Sequence, residues 1–140
     1  MTKILVVEDE AAIREKLMTV LGFEGFETFG AGDGRTGVEL ARREHPDLIV
    51  CDIMMPDLNG YGALRELRAH PDTAAIPIIF LTAAASRADM RKGMELGADD
   101  YITKPYTVEE LLAAVRTRLA RQQSIKDTAG EPALEKPVEA

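Results

Sequence analysis

Three short, nearly continuous apolar runs constrain this chain most: Ile4–Val7, Leu48–Cys51 and Ile76–Leu81. Runs of this kind suit strands covered on both faces, as in the middle of a parallel sheet. Two weaker runs, Glu27–Ala31 and Tyr101–Thr103, read as edge strands. A helical pattern follows each strand. Ile13, Leu17, Val20 and Leu21 form one helix face that ends near Gly22. Arg35–Glu44 is helical and stops before His45-Pro46. Tyr61–Arg68 carries Leu64 and Leu67. Ser86-Arg87-Ala88-Asp89 reads as a capping box, with Met90 and Met94 one turn apart and Gly97 at the stop. Thr107-Val108-Glu109-Glu110 opens a last helix with Leu111, Val115 and Leu119 on one stripe. Five such units predict a doubly wound α/β fold: a five-stranded parallel sheet with five helices on its two faces.

The chain has 140 residues, enough to bury about two thirds of its unfolded surface in one core. The fold is expected over residues 1–123. Residues 124–140, with Gly130, Pro132 and Pro137, read as a flexible tail or the start of a linker. Seventeen Lys+Arg against 24 Asp+Glu leave a net charge of −7, which argues against direct nucleic-acid binding. One cysteine makes neither an internal disulfide nor a cysteine zinc site. The first apolar run stops at Glu8-Asp9-Glu10, too soon for a signal peptide, and no stretch approaches the length of a membrane span. The expectation is a cytoplasmic protein with no membrane contact.

Open parallel sheets bind ligands at the carboxyl ends of their strands. There the sequence places Glu8, Asp9 and Glu10 after the first strand, Asp52 after the third, Thr82 after the fourth and Lys104-Pro105 after the fifth. Carboxylates held together repel unless a cation intervenes, and a hard divalent ion such as Mg²⁺ suits oxygen ligands. Mn²⁺ is the expected substitute. A lysine and a hydroxyl beside them suit an added anion. The combination points to a phosphoryl group in transit to Asp52.

Val6-Val7-Glu8-Asp9-Glu10, Asp52-Ile53-Met54-Met55-Pro56-Asp57-Leu58-Asn59-Gly60, Leu81-Thr82-Ala83 and Gly97-Ala98-Asp99-Asp100-Tyr101-Ile102-Thr103-Lys104-Pro105 resemble the receiver domain of bacterial two-component response regulators. The resemblance runs from about Lys3 to Ala120. It implies a flavodoxin-like three-layer sandwich with strand order 2-1-3-4-5. It also implies that Asp52 accepts the phosphoryl group and that Glu8, Asp9, Asp52 and the Met54 backbone carbonyl hold the metal. Thr82 and Lys104 are expected to bind the phosphoryl group, Tyr101 to switch with Thr82, and Lys104-Pro105 to be cis. The implied donor is a sensor histidine kinase or a histidine phosphotransfer protein. The implied output is a further domain or protein, reached through the Ser86–Gly97 helix, the fifth strand and the last helix. Two copies are expected to pair through that surface. Lys92, Glu95, Asp99 and Asp100 suit it, whereas the arginine usually seen in the last helix is Ala114 here.

The alternative is a magnesium-dependent phosphohydrolase that passes through an aspartyl-phosphate. Such enzymes carry Asp-x-Asp, and position 54 is Met. Gly32-Asp33-Gly34-Arg35-Thr36-Gly37 matches a dinucleotide fingerprint, but after the second strand rather than the first. It reads as a turn with Asp33 capping a helix. Cys51 reads as a small buried side chain, and His45 and His70 as loop residues. Arg116, Arg118 and Arg121 read as a solvated helix face.

Overall fold

A computed structural model gives the structure of this chain and describes residues 1–83, 91, 95 and 97–130. Its strands are β1 (Lys3–Val7), β2 (Glu27–Ala31), β3 (Leu48–Asp52), β4 (Ile78–Thr82) and β5 (Asp100–Thr103). Among the described residues the helices are α1 (Ala11–Phe23), α2 (Gly34–Glu44), α3 (Gly60–Ala69) and α4 (Val108–Gly130). The expected Ser86–Gly97 helix lies outside the described residues, apart from isolated positions. All pairings are parallel, and the order is β2-β1-β3-β4-β5.

Side chains alternate across a strand, and that alternation builds two cores. Leu5, Val7, Ile49, Cys51, Ile78 and Phe80 point to the α2–α3 side. Ile4, Val6, Leu48, Val50, Ile79 and Leu81 point to the other, under Leu17 and Leu21 of α1 and Leu111 and Val115 of α4. β3 and β4 are buried throughout, and β2 and β5 are the half-exposed edges.

Two boundaries differ from the sequence expectation by more than one residue. β4 starts at Ile78, not Ile76. Pro77 has no N–H for the ladder, and the Ile76 N–H closes a turn onto Thr73 O at 3.1 Å. The Pro77 carbonyl still accepts from Ile49 N–H at 2.9 Å. α4 runs past Ser124 to Gly130. The apolar stripe ends near Leu119, but ordinary helix formers continue with no breaker before Gly130.

Local chemistry sets the helix ends. Asp33 caps α2 by accepting the Thr36 N–H at 2.7 Å, and Asn59 caps α3 by accepting the Gly62 N–H at 2.9 Å. Thr107 and Glu110 form a reciprocal capping box on α4, at 3.0 and 2.8 Å. His45 closes α2 in the left-handed conformation at φ 50°.

Candidate functional site

The winding reverses between β1 and β3, so their carboxyl ends open a crevice. Register places Val7 beside Cys51, and therefore the residues after β1 beside Asp52. Carboxylate oxygens of Glu8, Asp9 and Asp52 lie within 4.8 Å of one another. Asp9 is exposed, whereas Glu8 and Asp52 are buried. Thr82 ends β4, and Lys104 follows β5. The Lys104 N–H donates to the Thr82 carbonyl at 2.7 Å, and Lys104 Nζ lies 3.6 Å from Asp52 Oδ2. The residues expected from four strand ends therefore share one rim. The Lys104-Pro105 peptide is cis.

Close backbone packing makes room for this rim. A Cβ on Gly60 would sit 2.8 Å from the Asp52 carbonyl and 2.9 Å from Ile53 Cα and from Phe80 Cε1. Only glycine lets the start of α3 settle on the end of β3 there. Asp57 turns the intervening loop at a φ of 63°. The Met54 N–H donates to Asp52 Oδ1 at 3.4 Å, and its side chain is exposed.

Among the described residues, three carboxylates face a single ammonium, Lys104, across the site. Glu8 Oε2 accepts the Glu10 N–H at 3.0 Å, but its Oε1 is buried with no hydrogen-bond partner among the described residues. Burial pushes the Glu8 carboxyl up to about 7, and the nearby Asp52 charge adds to the rise. An orphaned carboxylate oxygen among three acidic side chains fits a hard divalent ion better than Lys104 alone can. All the side-chain donors are oxygens, and Asp9 faces water, as Mg²⁺ with retained waters requires.

Tyr101 is half-buried on β5, with its ring 5.6 Å from Phe80, which in turn meets Tyr61 edge-on at 5.5 Å. Asp99 is turned inward. It accepts the Ile78 N–H at 2.8 Å and pairs with Arg68 at 3.3 Å, so it is committed to the fold rather than to a pairing face. Lys92 lies outside the described residues. Cys51 is buried against the sheet, and burial raises its thiol pKa. In the glycine motif, Gly34 packs on the Leu58 carbonyl and Gly37 on Val7, so these glycines serve close packing. Arg116 pairs with Glu24 at the end of α1 instead of standing free. Two contributors carry no simple sequence signal. Gly60 is visible only as one letter of its motif, and Arg14, which donates to the Glu8 carbonyl at 2.8 Å, reads as one more helix charge.

Comparison with known proteins agrees with this geometry. A family model described as the response regulator receiver domain matches residues 4–116. "Probable transcriptional regulator ycf27" of Porphyridium aerugineum is 49% identical over 119 residues, covering 85% of this chain and 48% of that protein. "DNA-binding response regulator MtrA" of Mycolicibacterium paratuberculosis is 45% identical over 119 residues, covering 85% and 52%. The chain thus spans about half the length of the curated relatives it matches. Among solved structures, the receiver domain of a Pseudomonas aeruginosa sensor histidine kinase, with a magnesium ion coordinated in its active site cleft, superposes with a TM-score of 0.78. It is 33% identical, and the match covers 85% of this chain and 98% of that one.

Proposed function

The chain belongs to the response regulator receiver domain family, and from that premise we propose that Asp52 is the residue that accepts the phosphoryl group. Receivers are phospho-accepting signalling domains of two-component systems, and this chain is one. The observation that carries the residue assignment is the convergence at Asp52. Two further carboxylates stand within 4.8 Å, one of them with an orphaned oxygen, and Lys104 lies 3.6 Å away.

The donor is a phosphohistidine on a sensor histidine kinase or a histidine phosphotransfer protein. An Asp52 carboxylate oxygen attacks phosphorus. The new O–P bond forms as the P–N bond breaks, and the imidazole nitrogen leaves with its electron pair and takes a proton from water. Lys104 pairs with a phosphoryl oxygen, and the Thr82 hydroxyl donates to another. Glu8, Asp9, Asp52 and the Met54 carbonyl are the residues that would hold Mg²⁺, or Mn²⁺ in its place. The bound ion supplies charge neutralisation at the phosphoryl oxygens. Positioning and neutralisation are most of what this reaction asks of a protein.

Met54 stands where a phosphohydrolase would keep its general acid/base, so the chain is a switch rather than a turnover enzyme. Phosphorylation draws Thr82 toward the new oxygens, and the Tyr101 ring turns inward behind it. The β5–α4 surface is the one assigned to output, including pairing of two copies. Residues 1–123 are read as the receiver and residues 124–140 as a tail or the start of a linker, with α4 running on to Gly130. No helix among the described residues is long and apolar enough to cross a membrane, and we place the protein in the cytoplasm with its kinase.

Acetyl phosphate with Mg²⁺ should load one phosphoryl group per chain. Asp9→Ala should fold normally and lose the metal-dependent loading. Phosphate release from ordinary monoesters over many turnovers would favour the phosphohydrolase instead.

A further inference from the structure

Both backbone polar groups of Glu8 are held. Its N–H donates to the Ala31 carbonyl of β2 at 3.0 Å, and its carbonyl accepts from Arg14 Nη1 at 2.8 Å. The peptide unit is planar. Holding the Glu8 carbonyl therefore fixes the whole Glu8–Asp9 peptide, and with it the Asp9 Cα from which that side chain starts. Of these bonds, the one from Arg14 is made by a side chain that α1 delivers across β2.

The path of that side chain is cleared by glycine. A Cβ on Gly30 would lie 2.7 Å from Met18 Sδ and 3.2 Å from Arg14 Cδ, and one on Gly32 would lie 3.3 Å from Arg14 Nη1, with Arg14 its sole neighbour. These separations are tighter than ordinary Cβ contacts. None of the ion pairs among the described residues includes Arg14. No carboxylate among the described residues pairs with its charge, although Glu8, Asp9 and Glu10 are its neighbours in the loop. As a bare charge, a cation here opposes binding of another cation. As a hydrogen-bond donor it does the reverse, because it preorganises two ligands.

We propose that Arg14 is a positioning residue for the acidic metal site, laid in a trough over Gly30 and Gly32 so that it locks the Glu8–Asp9 peptide. The role rests on the reading of Glu8, Asp9 and Asp52 as a Mg²⁺ site. Its two possible effects on affinity have opposite signs, which makes it testable. Gly32→Ala keeps every charge and crowds Arg14 alone, whereas Gly30→Val suits a strand and crowds Met18 together with Arg14.

The experiment is a titration of the full chain with MgCl₂, followed by the amide NMR signals of Glu8–Glu10 and Asp52. The wild type should give saturable shifts, and Asp9→Ala should not. Gly32→Ala should bind about tenfold more weakly, the scale on which outer partners of metal ligands act. Arg14→Met should also bind more weakly, even though it deletes a cation. Amide dispersion reports whether each variant folds. Gly30→Val carries the same expectation with more crowding, and should it fail to fold, Gly32→Ala decides. Wild-type affinity in a folded trough variant, or tighter binding by Arg14→Met, would show that Arg14 acts only as a charge and overturn the proposal. A wild-type chain with no saturable shifts would overturn the metal site itself, and this role with it.

Discussion

Burial of the Glu8 carboxyl raises its pKa from 4.5 to about 7, with the nearby Asp52 charge reinforcing the shift. A carboxyl that holds its proton more tightly in the folded state stabilises the fold while protonated. That contribution is whole below pH 4.5 and is lost as pH rises through about 7. The metal-free protein should therefore lose thermal stability between about pH 5 and about pH 8, and Glu8→Gln should flatten that decline. Melting curves with and without Glu8→Gln check this, and an unchanged decline would assign it to other groups. Asp52, Thr82, Lys104 and the acidic pair were legible in the sequence because each follows an apolar run that must be a strand. The burial of Glu8 and the exposure of Asp9 were not, since the two are neighbours in the chain and only the turn into α1 separates their environments.

The elements are held in place by contacts that an apolar pattern does not encode. α3 meets the end of β3 through Gly60, where a methyl group would collide with backbone at 2.8 and 2.9 Å. Backbone cannot swing aside as a flexible side chain can. Gly60→Ala should therefore cost about 1–3 kcal/mol and displace the Asp52 loop, read as a lower denaturation midpoint together with weaker Mg²⁺ binding. A variant of wild-type stability would mean that the junction relaxes freely. Apart from the end of α4, the described strands and helices were legible to within a residue or two because their apolar residues repeat at strand or helix spacing. The start of β4 was not, because Ile76 continues the apolar run while Pro77 withholds a ladder donor. The inward commitment of Asp99 was also hidden, because its partner Arg68 sits on α3, far along the chain, and reaches Asp99, Ile76 O and Gly97 O together.

At the scale of the molecule, the sheet links the rim to the edge opposite β2. Thr82 and Lys104 join β4 to β5, and Phe80 and Tyr101 pack across the same pair. Phosphorylation adds charge and acceptor oxygens at one end of this link, and it biases a packing equilibrium rather than creating a new fold. Beryllofluoride, a phosphoryl mimic, should shift amide signals from the Asp52 loop through Thr82 and Tyr101 into α4, with little change at β2. In Thr82→Ala the response at Tyr101 should shrink while the site loops still respond. Shifts confined to the Asp52 loop in the wild type would mean that the site binds without signalling through β5. The rim was legible because the motifs fall at strand ends in series along the chain, whereas the strand order came only through the family resemblance those motifs carry. The chain spans about half the length of the curated relatives it matches, and a receiver sequence carries no physical constraint on what it switches.

The central claim is that the phosphoryl group resides on Asp52. An acyl phosphate is reduced by borohydride to an alcohol, so an aspartyl-phosphate becomes homoserine at the modified position. The chain should be loaded with acetyl phosphate and Mg²⁺, reduced, digested and sequenced by mass spectrometry. The account predicts homoserine at position 52 alone, absent without Mg²⁺ and absent in Asp52→Asn. Homoserine at position 8 or 9 in the wild type, or undiminished labile phosphate in Asp52→Asn, would contradict it.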